Sequence, residues 1–67
     1  MTFGERLQRL RWQRGWTQVQ LAARTELSYK HVAEHENNHY KPSLNTLVRY
    51  AKAFDISLSE LLKGVDR

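Results

Sequence analysis

The stretch from Thr17 to Asn38, TQVQLAARTELSYKHVAEHENN, governs the reading of the whole chain. Thr17 followed three residues later by Gln20 has the spacing of a capping box, in which the hydroxyl takes up a free N–H of a helix's first turn and the glutamine reaches back to the cap. That predicts a helix over Gln18 to Arg24. Ser28 ahead of Tyr29-Lys30-His31-Val32 predicts a second start at once, with a helix from about Tyr29 to Asn37. Leu21, Ala22, Leu27, Val32 and His35 then fall where two steeply crossing helices share one small core.

Thr17-Gln18, Leu21-Ala22, Leu27-Ser28, Val32 and Glu36-Asn37 stand in the order and spacing of a known pattern. It runs T-Q-x-x-L-A, a turn glycine, a hydrophobic residue with serine, a variable stretch, a β-branched residue and an E-N-G ending. In this the chain resembles the Cro/repressor (XRE-type) helix-turn-helix DNA-binding domains. Leu7, Leu10-Arg11 and Gly15 before the stretch, and Lys41-Pro42-Ser43-Leu44 to Leu62 after it, extend the resemblance over nearly the whole chain. The resemblance implies an all-α, compact five-helix domain over residues 1–67, with a central helix-turn-helix that binds duplex DNA sequence-specifically and regulates transcription. Glu26 stands where the family has its turn glycine. It is expected to enter the left-handed region or shift the turn, at a cost of about 1 kcal/mol relative to glycine. Asn38 replaces the closing glycine, and asparagine tolerates that conformation. His35 occupies a position that is usually aliphatic or aromatic.

A chain of 67 residues buries only about 60% of its unfolded surface, so oligomerisation would help it. With no cysteine there is no disulfide framework and no cysteine-based zinc site. No apolar run approaches the ~18 residues of a membrane span. The N-terminus, with Glu5 and no long apolar segment, does not read as a signal peptide. Together these features give the expectation of a soluble, cytoplasmic protein without membrane contact. The net charge of +4 is unevenly placed. Arg6, Arg9, Arg11 and Arg14 against Glu5 make residues 1–16 cationic, and Lys41, Arg49 and Lys52 do the same for residues 39–52, whereas residues 17–38 are slightly acidic. Charge alone is therefore weak support for a nucleic-acid partner, and the motif carries that argument.

Thr2 with Glu5 is a second capping box, opening a first helix that runs to about Arg14 and stops at Gly15. Phe3, Leu7, Leu10, Arg11 and Arg14 form one stripe along it. An arginine on an inward face needs a carboxylate or must snorkel to solvent. The resemblance implies the carboxylate of Glu36, giving a structural ion pair with Arg11. Arg6, Arg9 and Gln13 lie opposite and read as solvated. Trp16 is expected to plug the space between the first two helices. Trp12 falls off the stripe, marking either a contact surface or a site covered by a neighbouring loop.

At about 100° per residue, Val32 and His35 point one way from the second helix of the motif, and Tyr29, Lys30, Ala33, Glu34 and Asn37 the other. The outer face is the one such a helix lays in the major groove. Lys30 can donate to guanine O6 or N7, Glu34 can accept from cytosine N4, and Tyr29 can meet a base edge, a thymine methyl or a phosphate. The alternative is that Lys30 and Glu34, four residues apart, pair with each other. Thr17 and Gln18 would anchor phosphates at a helix N-terminus, with Asn37, Asn38, Lys41 and Ser43 holding the DNA backbone on the far side. His31, His35 and His39 recur at a possible metal-ligand spacing. His39 lies past the helix end, however, and His35 takes a core position. No metal or other cofactor is expected.

Ser43 caps a fourth helix whose Leu44, Leu47, Val48, Ala51 and Phe54 read as core, and Ser57 with Glu60 opens a short fifth, ended by Gly64. Leu58, Leu61, Leu62 and Val65 follow Ile56 with more apolar surface than so small a core needs. Members of the resembling family commonly pair through this region. A symmetric homodimer on a palindromic double-stranded DNA operator is the resulting expectation. The rival is a protein-interaction module of the same fold, such as an antitoxin acting mainly on a protein partner, favoured by Trp12 and the slightly acidic motif. An enzyme is the least supported class, since neither a nucleophile constellation nor a phosphate-cradling glycine loop is present.

Overall fold

One short polar side chain starts each helix. Thr2, Thr17, Ser28, Ser43 and Ser57 all sit in extended backbone and accept the N–H three residues on, from Glu5, Gln20, His31, Thr46 and Glu60 respectively. In the computed structural model, which describes residues 1–66, they open α1 (Phe3–Gln13), α2 (Gln18–Thr25), α3 (Tyr29–Glu36), α4 (Leu44–Phe54) and α5 (Leu58–Leu61). No strand occurs among the described residues. Both expected capping boxes are complete, with the Glu5 and Gln20 side chains returning to the Thr2 and Thr17 amides. Helix α2 runs one residue further than its spacing suggests, and α3 ends at Glu36 with Asn37 as its cap.

Left-handed residues turn the chain at four of the helix ends. Gly15 (φ 70°) follows α1, Glu26 (φ 60°) α2, Asn38 (φ 59°) α3 and Asp55 (φ 57°) α4. At Asn38 the amides of Asn38 and His39 bond back to the carbonyls of His35 and Glu34, so the last carbonyls of α3 are satisfied.

The core is Phe3, Leu7 and Leu10 of α1, Leu21 and Ala22 of α2, Val32 of α3, Tyr50, Ala51 and Phe54 of α4, and Leu61 of α5. Helix α3 packs against α1 and α2 and meets α4 through His35 and Tyr50, whereas α5 packs on α4.

Several readings of individual residues change. Leu44 and Val48 are not core: Leu44 is 66% exposed at the first turn of α4 and Val48 lies half-buried at the concavity it lines with Arg49 and Lys52, while Tyr50, outside the apolar stripe, is fully buried. The stripe on α4 therefore starts a turn later, at Leu47, which packs against the core. Arg6 is not merely solvated, since it donates to the Leu61 and Glu60 carbonyls and pairs with the Glu60 carboxylate at 3.5 Å, tying α1 to α5. Trp16, between α1 and α2 in the chain, stacks on Phe54 of α4 at 5.4 Å, and Arg24 of α2 lies over its ring at 4.3 Å. Arg14, exposed overall, bonds the Phe54 carbonyl with its guanidinium over the Trp16 and Phe54 rings.

Candidate nucleic-acid interface

A buried carboxylate fixes α3 in place. Glu36 is 3% exposed and accepts from Arg11 Nε at 2.6 Å and from a terminal guanidinium nitrogen at 2.9 Å, a bidentate pair reaching from α1 to α3. The other terminal nitrogen of Arg11 donates to the Trp16 carbonyl at 3.0 Å. Gln18 Nε2 also donates to Glu36, at 3.0 Å. One carboxylate therefore joins α1, the turn before α2, the start of α2 and the end of α3.

With Val32 and Glu36 turned inward, the opposite face of α3 meets solvent. Tyr29 is 53% exposed, Lys30 and Asn37 are exposed and Glu34 is half-buried. Among the described residues the ion pairs are Met1 ammonium with Asp66, Arg6 with Glu60 and Arg11 with Glu36, so Lys30 and Glu34 do not engage each other. Lys30, His31, Glu34, His35 and Tyr40 line an open concavity of about 400 Å³ along this helix.

The residues expected at the DNA backbone flank this face, but several are already engaged within the protein. Thr17 accepts the Gln20 amide through its hydroxyl oxygen, which leaves its own O–H to donate. Gln18 keeps a second amide hydrogen beyond the one given to Glu36. Ser43 donates its hydroxyl to Thr46 at 3.1 Å, so what remains near it is the set of free N–H groups in the first turn of α4. Asn38 is turned toward α1: its carbonyl oxygen accepts the Gly4 amide at 2.9 Å and its nitrogen donates to the Thr2 hydroxyl at 3.1 Å. Lys41 is exposed in the α3–α4 loop.

One feature escaped the pattern of the chain. Arg24, Arg49 and Lys52 line a concavity of about 440 Å³ between α2 and α4, with Glu26 as its carboxylate. Arg49 donates to the Thr25 carbonyl at the end of α2. The signal was the spacing of Asn45, Arg49 and Lys52 at i, i+4, i+7 on one face of α4.

His35 is half-buried, with Nδ1 2.7 Å from the Tyr50 hydroxyl and its ring edge-on to the tyrosine. Burial, aided by the nearby positive charge of His31 and partly offset by Glu34, lowers the pKa of His35 below its ordinary 6.5. Burial likewise raises that of Tyr50, so the phenol stays neutral and can serve as donor or acceptor. Because folded His35 binds protons less readily than unfolded His35, stability present above pH 6.5 falls as the pH drops through that value toward the folded pKa. The expected result is a falling urea midpoint below pH 6.5 that flattens in His35→Gln; an unchanged slope in that variant assigns the loss elsewhere. Among the described residues no three His, Cys, Asp or Glu side chains gather as a metal site, so the histidine series does not converge.

Residues 7–61 match the helix-turn-helix family model HTH_3. The chain belongs to this helix-turn-helix family. Its relatives include the immunity repressor protein of Bacillus phage phi105, 42% identical over 62 residues that make up 92% of this chain and 43% of that protein. The chain spans about half the length of the curated relatives it matches. Among solved structures, the restriction-modification controller protein C.AhdI from Aeromonas hydrophila is 36% identical, with a TM-score of 0.85 over 88% of this chain and 89% of that one. The P22 c2 repressor in complex with a synthetic operator is 26% identical, with a TM-score of 0.85 over 96% and 97% of the two chains. The two solved structures share the fold of this chain. No helix of the described residues is long and apolar enough to cross a membrane.

Proposed function

We propose that residues 1–67 form one DNA-binding domain of a repressor-like transcriptional regulator, acting in the cytoplasm as a symmetric homodimer on a palindromic operator. The observation that carries this reading is the exposed face of α3. Tyr29, Lys30 and Glu34 stand on it, and among the described residues neither Lys30 nor Glu34 enters an ion pair, while the Glu36 network holds the helix from behind. The phi105 relative's name as an immunity repressor and the P22 c2 repressor's complex with operator DNA support it.

In this reading α3 lies in the major groove. Lys30 donates to a guanine, Glu34 accepts from a cytosine amine, and Tyr29 packs on a base edge or thymine methyl. The Thr17 hydroxyl, the remaining Gln18 amide hydrogen and the N-terminal N–H groups of α2 meet one phosphate strand. Asn37, Lys41 and the first turn of α4 after Ser43 meet the other. Asn38 serves this surface indirectly, by pinning the end of α3 to α1.

Selection of duplexes from a random pool by the purified protein tests the function. An enriched palindrome is expected; no enrichment at low salt defeats the reading and moves weight to a protein partner at Trp12, which is 61% exposed. On the enriched site, Lys30→Ala should cost about 1–3 kcal/mol and relax one base pair, while Lys41→Ala should weaken all sequences alike and lower the salt slope by about one unit. Equal losses on specific and random duplex from both variants would remove Lys30 from base reading.

A further inference from the structure

The positive charge of residues 39–52 is only partly used at the proposed DNA surface. Lys41 stands in the α3–α4 loop, but Arg49 and Lys52 join Arg24 in lining the concavity of about 440 Å³ between α2 and α4. Its apolar wall is Val48 and Ala53, and its one carboxylate is Glu26. All three cations are exposed, and among the described residues none of them, nor Glu26, enters an ion pair. Three cations against one carboxylate leave the concavity at +2. The half-charges at the C-terminal ends of the two helices offset at most about one of these. Two of the cationic heads are already oriented. The Arg24 guanidinium lies over the Trp16 ring at 4.3 Å, and Arg49 gives one terminal nitrogen to the Thr25 carbonyl at 3.3 Å, which leaves the rest of its donor fork open.

We propose that this concavity binds an acidic peptide segment of a protein partner, with carboxylates on Arg24, Arg49 and Lys52 and an aliphatic side chain between them on Val48 and Ala53. Guanidinium forks match carboxylates in geometry as well as charge, and held forks lose less freedom when they bind.

Position separates this surface from the duplex. In the reading above, DNA meets the N-terminal ends of α2 and α4. Arg24 lies in the last turn of α2 and Lys52 in the last turn of α4. They stand roughly 9 and 12 Å along the axes from the first residues of those helices. Asn45, in the first turn of α4, lines the end of the concavity nearer the DNA and has no part in the site. The apolar wall favours a peptide over a phosphate strand, since a phosphodiester carries no aliphatic side chain to cover Val48 and Ala53. The distance from DNA rests on the function proposed above, whereas the charge and the apolar wall do not.

The test is titration of the Trp12→Phe protein, by calorimetry and Trp16 fluorescence at low salt, with a blocked peptide that alternates pairs of glutamate with leucine. Binding should alter Trp16 emission, because a carboxylate that engages Arg24 shifts the guanidinium over that ring. Arg24→Glu with Lys52→Glu should weaken binding about tenfold or more, and Arg9→Glu with Lys63→Glu, an equal charge change at exposed sites outside the concavity, should weaken it far less. Lys52→Glu alone leaves the Trp16 and Thr25 contacts in place and should still lose about threefold. No binding by the parent protein overturns the proposal, as do equal losses in the two double variants or equal binding of the peptide's glutamine counterpart. Protein held on duplex should take up the peptide without releasing DNA. Displacement of the peptide by duplex, together with a greater loss of duplex affinity in the Arg24 and Lys52 variant than in the Arg9 and Lys63 variant, makes this surface a DNA contact and also overturns it. If no duplex is bound at all, the regulatory reading fails, and the peptide titration still decides this site.

Discussion

Glu36→Gln should lower stability by about 3–5 kcal/mol, because it strands the Arg11 guanidinium in a site with 11% of its side chain exposed. The amide can still accept a hydrogen bond, so what is lost is mainly the compensating charge and the bidentate geometry at 2.6 and 2.9 Å. Desolvating two ions is itself costly, so the pair need not stabilise the fold relative to apolar residues of similar size. Arg11→Met with Glu36→Leu should therefore cost much less than either single change. For a domain of this size the single variant's melting temperature should drop by at least about 12 °C. A melting temperature equal to wild type would show that Arg11 finds solvent when its partner is neutral. Gln18 supplies a second readout: its amide and the Arg11 guanidinium, which now both donate to the carboxylate, must compete for the one amide oxygen that remains, so the phosphate contact proposed for Gln18 should weaken even in the fraction that remains folded.

What the sequence made legible is mostly local. A hydroxyl bonding an amide three residues ahead is written in the spacing, and all five helix starts lie where such a side chain stands. The left-handed turns at Glu26 and Asn38 were legible because each replaces a glycine of a recognisable pattern. Asp55 was not, although Asp tolerates that conformation and Ile56 just beyond it supplies the apolar contact that usually follows such a turn. Helix periodicity placed Tyr29, Lys30 and Glu34 on one face of α3. It failed at Leu44, Val48 and Tyr50, because which residues of a helix are covered depends on where its neighbours pack and not on its own spacing alone. Nor could spacing show which polar groups are already used. Asn38 reaches across 34 residues to Gly4, and Gln18 across 18 to Glu36. Such contacts subtract from a candidate interface without changing the residues that flank it.

Gly4 shows the same limit, and its replacement has the second large expected effect on stability. In an exposed helix interior, Gly→Ala stabilises by roughly 0.5–1 kcal/mol, since alanine loses less backbone entropy. Gly4, in the first turn of α1, is buried. A Cβ there would press into the Glu36 carbonyl, with its carbon at 2.8 Å and the Asn38 amide nitrogen at 2.9 Å. The first obstacle is backbone in the last turn of α3 and cannot rotate aside as a flexible side chain can. Either α1 lifts, breaking the 2.9 Å bond from Gly4 to Asn38, or the end of α3 moves and takes Glu36 away from Arg11. Overpacking of this kind typically costs 1–3 kcal/mol, and with rigid backbone on both sides about 3 is expected, so the sign is destabilising despite the gain in helix propensity. Gly15→Ala is the useful contrast. Beyond its two chain neighbours, no atom of the described residues lies within 4 Å of its added Cβ, so the left-handed φ of 70° is what opposes the change, at about 1 kcal/mol. Urea unfolding of both variants compares a collision with backbone strain. If Gly4→Ala is as stable as wild type, α1 and α3 are not held at this approach, and Asn38 loses its role in positioning the recognition helix.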